Sequence, residues 1–365
     1  MNTARRPLRA LGLAISATAL AFLTACSTTT APEPGSTSTG GGAEETVGVA
    51  LITKDSTNPF FVTMQEGAEA EAATYGVDLT IASGKKDGDE DGQIQAIEQA
   101  IARGDKGILI LSNGPSVDNA MRKARDAGLY VIALDTPPND PSVVDITFAT
   151  DNREAGRLIG QWTAAQLDGE PATIALLDAF TDKVISVDIG RDQGFLEGMG
   201  IDTVDPEKNG DEPKTGSYSG GNYTIACQEP SGGAEDGGRT GMETCLQKNG
   251  DINVVYTINE PTAVGAQAAL KAAGITDALV VSVDGGCAGV QNVKDGVIGA
   301  TSQQYPLKMA TLGMEAIAEL ARTGEKPSTS AGLDFYNTGV ALVTDKSVDG
   351  LDSISTDEGL ELCWG

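Results

Sequence analysis

Residues 46–52 read TVGVALI, an unbroken apolar run typical of a strand that is buried on both faces of a sheet. Helical spacing follows over residues 59–75, and a second strand pattern covers residues 77–82. The alternation then continues along the chain, for example with the strand pattern GILIL over residues 107–111. Strands and helices that alternate through short turns predict an α/β fold with mostly parallel sheets. Because the succession restarts after Asp151, we expect two similar lobes.

The chain starts with an export signal. Three arginines, at positions 5, 6 and 9, precede an apolar run over residues 11–23 that is too short to span a bilayer comfortably. Residues 23–26 (LTAC) resemble the lipobox of bacterial lipoproteins, which implies a signal peptide over residues 1–25 and lipidation of Cys26. The alternative is an ordinary secretory signal with a chance cysteine. Residues 26–45, rich in Ser, Thr, Pro and Gly, predict a flexible tether. We expect a protein on the extracytoplasmic face of the cell membrane, held by its lipid alone.

Composition excludes several classes of function. The net charge of −27 at pH 7 disfavours nucleic acids and anionic membrane surfaces as partners. The chain has no histidine, which excludes a Ser-His-Asp triad, a Cys-His nucleophile and a histidine zinc site. Aromatic residues make up only 4% of the chain, which disfavours a broad stacking platform for polysaccharides.

Four cysteines remain once Cys26 is assigned to the lipid: Cys227, Cys245, Cys287 and Cys363. An even number in an exported protein predicts disulfides, and three connectivities are possible. We favour Cys227 with Cys245 and Cys287 with Cys363, since the first pair closes a Gly-rich loop and the second would pin the C-terminal tail. Buried free thiols are the alternative.

Polar side chains follow the predicted strands. In open parallel sheets, ligands bind beyond the carboxyl ends of the strands. The residues found there are Lys54, Asp55, Asn58, Asn113, Asp135, Thr150, Asp151, Asn152, Asn259, Glu260, Asp284, Gln303 and Gln304. Amides and carboxylates in such a ring suit a polyhydroxy ligand, whose hydroxyl groups each donate and accept hydrogen bonds.

Several motifs in this order resemble those of the type I periplasmic binding proteins, specifically the ribose-binding-like sugar receptors of ABC transporters. The motifs are NPFF (58–61), LD (134–135), TDN (150–152), RDQGF (191–195), NE (259–260), VDG (283–285), AT (300–301), QQ (303–304) and Pro306. The stretches CLQKN (245–249) and YTINEP (256–261) are most similar to the fructose-type subgroup. The resemblance implies two lobes joined by three crossovers, with residues 46–150 and 305–334 in the first lobe and 151–304 and 335–365 in the second.

The resemblance also implies a site for one sugar between the lobes. Phe60 and Phe61 would pack against the C–H faces of the sugar, and Asn58 would bind its hydroxyl groups. The other polar contacts would come from Lys54, Asn113, Asp135, Thr150, Arg191, Asn259, Asp284 and Gln304. Plainer structural roles compete, such as core packing for one phenylalanine, a surface ion pair for Arg191 and a turn at Asp284.

Two positions depart from the ribose-type pattern. Thr136 stands where those members usually have an arginine, and Val283 where they often have an aromatic residue. Both disfavour ribose and leave fructose as the expected sugar. In addition, an acidic, Gly-rich segment over residues 202–241 has no residue-by-residue counterpart in the family pattern.

Residues 87–98 satisfy the calcium-loop template, with Asp87, Asp89, Asp91, Gly92 and Glu98 in place. A strand precedes this stretch where a helix is needed, and residues 93–103 already have a helical pattern. We therefore favour an acidic helix N-terminus and expect neither metal nor cofactor.

The sequence thus predicts a monomeric, lipid-anchored receptor that binds a monosaccharide and delivers it to an ABC permease without chemistry. Alternatives are a receptor that presents a sugar or signal molecule to a membrane kinase, and an exported glycosidase with paired carboxylates.

Overall fold

Alternating strands and helices fill the part of the chain that the structure, a computed structural model, describes, which is residues 46–365. The predicted signal, Cys26 and the tether lie outside these residues. The strands are β1 Val47–Thr53, β2 Val77–Ser83, β3 Gly107–Ile110, β4 Tyr130–Leu134, β5 Ile146–Ala149, β6 Ala172–Asp178, β7 Thr215–Ser217, β8 Asn222–Pro230, β9 Val254–Thr257, β10 Leu279–Asp284, β11 Ala300–Gln303, β12 Tyr336–Asn337 and β13 Ala341–Val343. The helices are α1 Pro59–Ala72, α2 Glu90–Arg103, α3 Asp118–Asp126, α4 Asn152–Leu167, α5 Ser186–Met199, α6 Glu235–Lys248, α7 Glu260–Ala273, α8 Cys287–Lys294, α9 Pro306–Thr323 and α10 Thr356–Leu362.

The strands form two sheets with the same central order. The first runs β12-β5-β4-β3-β1-β2 and is parallel throughout. The second runs β13-β11-β10-β9-β6-β8-β7, with antiparallel strands at its two edges. In each sheet the order in which successive strands are added reverses beside the first strand, β1 or β6, and α/β sheets bind ligands at such a point. The expected fold of two similar α/β lobes is confirmed.

The apolar residues of β1 belong to two hydrophobic clusters, one on each face of the first sheet. Val49 and Leu51 pack into one cluster with α1 and α9, whereas Ala50 and Ile52 pack into another with α2 and α3. Successive side chains of a strand point to opposite faces, so a strand covered by helices on both sides needs apolar residues at every position. The second lobe has the same two clusters around β6 and β9.

The chain crosses between the lobes three times, at β5 to α4, β11 to α9 and β12 to β13. The third crossing differs from the boundary expected at residue 335, because Tyr336 and Asn337 still pair with Phe148 and Ala149 of the first sheet. The C-terminal end differs as well: Trp364 packs into the core of the first lobe.

Disulfides join Cys227 to Cys245 and Cys287 to Cys363, the two pairs that the local connectivity predicts. The first links β8, which lies within the Gly-rich segment over residues 202–241, to α6, which begins in that segment and ends at Lys248. The strands β7 and β8 were not predicted from the sequence. Within residues 46–365 there is no helix with the length and apolar character needed to cross a membrane.

One residue of the calcium-loop template has a structural role at the start of α2. Asp89 caps the helix: its carboxylate accepts hydrogen bonds from the backbone N–H groups of Gly92 (3.2 Å) and Lys85 (2.9 Å). These bonds to the ionised form lower the pKa of Asp89. The stretch is therefore an acidic helix N-terminus, as the sequence favours.

Candidate ligand-binding site

A cavity lies between the lobes, at the carboxyl ends of both sheets. Small-molecule sites of α/β folds are typically found at this place. The lining of the cavity combines aromatic and aliphatic side chains with carboxylates and two cations. The lining residues are Lys54, Asn58, Phe60, Phe61, Asp87, Asp135, Ala179, Phe180, Ile185, Val187, Asp188, Arg191, Gly233, Ile258, Asn259, Asp284 and Gln304.

The turn between β1 and α1 presents the aromatic part of the first wall. Asp55 fixes this turn by accepting hydrogen bonds from the N–H groups of Thr57 (2.6 Å) and Asn58 (2.8 Å). Asn58 caps α1 by accepting from the N–H of Phe60 (3.0 Å). Phe60 and Phe61, at the first turn of the helix, meet edge to face with ring centroids 5.6 Å apart. The turn thus holds two aromatic rings at the cavity in a fixed geometry.

Asp135 ends β4 and supplies a carboxylate with an open acceptor. Its backbone has φ 61°, a left-handed conformation that aspartate tolerates better than most residues. Its side chain is buried, and Oδ2 accepts from the hydroxyl of Thr136 (2.8 Å). Its Oδ1 finds no partner among residues 46–365. A buried acceptor without a partner is costly, so this oxygen is available to a hydroxyl group of a ligand.

Asp87 and Lys54 form the charged corner of the first wall. Lys54 Nζ lies 3.9 Å from Asp87 Oδ2, while Asp87 Oδ1 is a second buried oxygen for which the described residues offer no partner. Desolvation raises the pKa of Asp87, and the positive charge of Lys54 opposes that shift. The pair therefore places both a donor and an acceptor at the cavity.

Arg191, on α5, is the centre of a network in the second wall. Its guanidinium donates to Asn152 Oδ1 (2.8 Å), to the carbonyl of Ile258 (2.9 Å) and to Gln304 Oε1 (3.2 Å). Its Nη1 also lies 3.9 Å from Asp284 Oδ1. A guanidinium has five N–H donors, so two remain for a ligand.

Asp284 is the last residue of β10, and both of its carboxylate oxygens accept hydrogen bonds. Oδ1 accepts from Gln304 Nε2 (2.9 Å), and Oδ2 accepts from the backbone N–H of Glu260 (3.2 Å). Burial raises the pKa of Asp284 to about 6, against the lowering effect of Arg191. Glu260, directly behind it, has its pKa raised to about 8 by burial and by the charge of Asp284.

Two further side chains of the second wall are fixed by the backbone around them. Asn259 caps α7, accepting from the N–H of Thr262 (3.1 Å), and its Nδ2 donates to the carbonyl of Gly233 (2.9 Å). Asp188 accepts from the N–H groups of Ala179 (2.8 Å) and Phe180 (3.0 Å). This bonding fixes the turn after β6, which carries Phe180 to the cavity.

Nine of the eleven side chains expected at the site line the cavity: Lys54, Asn58, Phe60, Phe61, Asp135, Arg191, Asn259, Asp284 and Gln304. Asn113 and Thr150 do not. Asn113 accepts from the N–H of Gly88 (2.9 Å) and donates to the carbonyl of Lys54 (3.1 Å), so it supports the loop that carries Asp87. Thr150 donates to Gln304 Oε1 (3.1 Å) from behind the cavity.

Sequence reasoning missed Asp87, Phe180, Asp188 and the aliphatic lining. Phe180 follows β6, so the strand-end rule could have found it. Asp188 lies one helical turn before Arg191, a spacing that places both on one face of a helix. Asp87 carried no such signal, because it lies in a loop after β2 that Asn113 and Lys183 hold beside the cavity through Gly88.

The lobes touch across the cavity mouth. Lys183 of the second lobe donates to the carbonyl of Gly88 (2.9 Å) and lies 3.3 Å from Glu90 of the first. Ser186 donates to the carbonyl of Pro137 (2.6 Å). The two lobes are therefore in contact beside the cavity, as in a closed arrangement.

Comparisons with known proteins agree with this architecture. Residues 49–326 match the model of a family described as "Periplasmic binding protein domain". The chain is 27% identical over 288 residues to the ribose import binding protein RbsB of Salmonella typhimurium, covering 79% of this chain and 88% of the relative. It is 28% identical over 272 residues to the galactofuranose-binding protein YtfQ of Escherichia coli, covering 71% and 77%.

A solved structure from Mycobacterium smegmatis in complex with β-D-fucofuranose superposes with a TM-score of 0.66 at 25% identity, covering 77% of this chain and 87% of that one. The likeness of fold and sequence extends through both lobes. The chain therefore belongs to the periplasmic binding protein family and is a binding protein, not an enzyme.

Proposed function

We propose that this protein is the lipid-anchored, monomeric substrate-binding component of an ABC importer and that its ligand is a neutral monosaccharide, D-fructose in its five-membered ring form. The observation that carries the proposal is the cavity itself. It combines two aromatic rings, two buried carboxylate oxygens that have no partner within residues 46–365, and the cations Lys54 and Arg191. Each hydroxyl group of a sugar both donates and accepts, which is what these groups require.

The charge of the lining favours a neutral ligand over an anionic one. Four aspartates, Asp87, Asp135, Asp188 and Asp284, oppose the cations Lys54 and Arg191. A sugar acid or sugar phosphate would add negative charge to a space where carboxylates already exceed cations, and repulsion in a desolvated site is costly. Hydroxyl donors meet no such penalty.

The aromatic rings support a sugar, as opposed to a more polar small molecule. Phe60 and Phe61 are buried at the cavity and present apolar surface beside the carboxylates. One face of a sugar ring carries C–H groups, so a ligand with one apolar and one polar side matches a lining that is divided in the same way.

Ring size and the identity of the sugar rest on two lines of support. Two of the relatives described above are named for, or solved with, furanoses, and a third is named for ribose. Thr136 and Val283 depart from the ribose-type pattern, and the stretches around residues 245–261 resemble the fructose-type subgroup. Fructose is a hexose that adopts a furanose ring, so it agrees with the furanose ligands of the relatives and with the departures from the ribose-type pattern.

A thermal-shift screen of D-fructose, D-ribose, D-galactose, L-arabinose and D-galacturonate tests the proposal, followed by calorimetry on the sugars that stabilise. A ligand at 100 times its dissociation constant adds about 2.7 kcal/mol to the free energy of unfolding. We expect the largest shift with fructose and none with galacturonate. Tighter binding of ribose would overturn the assignment of fructose, and binding of galacturonate would overturn the argument from charge.

Membrane fractionation of Cys26→Ser tests the lipid anchor: the substituted protein should no longer be found in the membrane fraction.

A further inference from the structure

The C-terminal residues lie directly behind the sugar site. Trp364, the penultimate residue, is 6% exposed and packs into the core of the first lobe. Its ring meets Phe60 at a centroid distance of 5.3 Å and an interplanar angle of 76°. Such an edge-to-face contact fixes both rings relative to each other. Phe60 is part of the cavity lining and Trp364 is not, so the tryptophan contacts the site from outside.

Trp364 also contacts the polar side of the site. Its Nε1 donates to the backbone carbonyl of Gln304 at 2.8 Å, a buried hydrogen bond. The side chain of Gln304 in turn binds Asp284 and Arg191, the charged groups of the second wall. One indole ring therefore touches both an aromatic and a polar member of the lining.

The tail reaches this position because it is tied to the second lobe. Cys363 is bonded to Cys287, the first residue of α8, and the backbone N–H of Cys287 donates to the carbonyl of Trp364 (2.9 Å). The disulfide spans 76 residues of sequence. The covalent bond and this hydrogen bond together hold the tail against α8 of the second lobe.

We propose that Trp364 is a positioning residue for the ligand site and that the Cys287–Cys363 disulfide holds it there, so that ligand affinity depends on the oxidised state of this pair. The inference rests on the proposed function for its ligand. A dithiol reduces the disulfide with two electrons and two protons, giving two cysteine thiols and the cyclic disulfide of the reagent. Release of the tail then removes the ring behind Phe60 and the donor to Gln304.

The first test separates the position of the tail from the covalent bond. Binding of D-fructose, and of D-ribose if the wild type binds it more tightly, is measured by calorimetry for three variants. These are Trp364→Ala, Trp364→Phe and a chain that ends at Cys363. We expect affinity to fall roughly tenfold, or about 1.4 kcal/mol, for Trp364→Ala and for the truncated chain, because residues in contact are energetically coupled. Trp364→Phe, which keeps the ring, should recover part of the loss.

The second test addresses the disulfide, with the other disulfide as a matched control. Dithiothreitol should weaken ligand binding by the wild type and by Cys227→Ala/Cys245→Ala. It should leave Cys287→Ala/Cys363→Ala unchanged, at the affinity of the truncated chain. Circular dichroism establishes that each variant is folded. Wild-type affinity in the truncated chain, or in Cys287→Ala/Cys363→Ala, would overturn the inference.

A measurement without ligand distinguishes failure of the inference from failure of the proposed function. If the wild type binds none of the sugars, the sugar assignment is wrong, and hydrogen exchange then decides the role of the tail. Backbone amides of residues 60–62 and 303–305 should exchange faster in the truncated chain than in the wild type. Equal exchange would overturn the positioning role.

Discussion

The two walls of the cavity differ in how their polar groups are occupied. The first lobe contributes Asp87 and Asp135, and each has a buried oxygen that no residue within 46–365 satisfies. The second lobe contributes Arg191, Asn259, Asp284 and Gln304, which bind one another or the backbone in a continuous network. The second wall is thus set before the ligand arrives, whereas the first wall is completed by it. Substitutions in the preorganised second wall should therefore lower both ligand affinity and stability, because its side chains bind one another. Substitutions in the first wall should lower ligand affinity alone.

The largest effect is expected at Arg191. Replacing it by alanine leaves Asp284 and Gln304 without their charged partner in a buried site. Breaking a buried pair in this way costs about 3–5 kcal/mol. We expect loss of measurable sugar binding in calorimetry together with a lower midpoint of urea unfolding. An Arg191→Ala protein that loses affinity but unfolds at the wild-type midpoint would show that the second wall is not structurally coupled.

A substitution at Asp135 should lower ligand affinity without lowering stability, in contrast to Arg191→Ala. Asp135→Asn keeps the size of the side chain and tolerates the left-handed backbone. We expect sugar affinity to fall about tenfold or more, since an unmade buried hydrogen bond costs about 1–3 kcal/mol. The urea midpoint should stay the same or rise, because an unpartnered buried charge is removed.

Asp352→Asn, at an exposed aspartate outside the cavity lining, is the matched control for this charge change and should alter neither quantity. A lower urea midpoint for Asp135→Asn would mean that the first wall, too, is a structural network.

The buried acids of the second lobe should also make the stability of the protein depend on pH. Burial raises the pKa of Asp188 and Asp284 to about 6 and of Asp192 and Glu260 to about 8, and all four belong to the second lobe. An acid whose pKa is higher in the folded state binds more protons when folded, so stability falls as pH rises through that window. We expect the free energy of unfolding without ligand to drop by at least about 2 kcal/mol between pH 5 and pH 8.

Urea titrations at intermediate pH values measure this slope. Glu260→Gln should flatten the slope between pH 6 and pH 8, whereas Asp352→Asn should keep it. Stability that rises over this window would show that the second-wall carboxylates are ionised at low cost.

The same contrast explains what the sequence could predict. Strand ends in a doubly wound fold converge on one place, so Asp135, Asn259 and Asp284 were identifiable from the apolar runs that precede them. Asn113 obeys the same rule but supports a neighbouring loop, because a strand-end position fixes where a side chain starts and not what it contacts.

Asp87 and Trp364 could not be found this way. Asp87 enters the cavity through a loop that Asn113 holds, and Trp364 arrives from the far end of the chain through a disulfide. The third crossing between the lobes falls after Asn337 for a similar reason: two strand residues are too few for a sequence pattern.

The smallest effect is expected where the walls meet at the cavity mouth. Lys183 of the second lobe binds the carbonyl of Gly88 and faces Glu90 of the first, with side chains that are partly exposed. Partly solvated ion pairs contribute about 1 kcal/mol or less, so Lys183→Met should weaken sugar binding by roughly two- to fivefold. Because these contacts join the two lobes across the cavity, the change should appear as faster dissociation in stopped-flow measurements, with the association rate nearly unchanged. Lys346→Met, at an exposed lysine of the second lobe outside the cavity, controls for the lost charge. A slower association rate with unchanged dissociation would indicate instead that Lys183 acts on the open form, before the two walls come together.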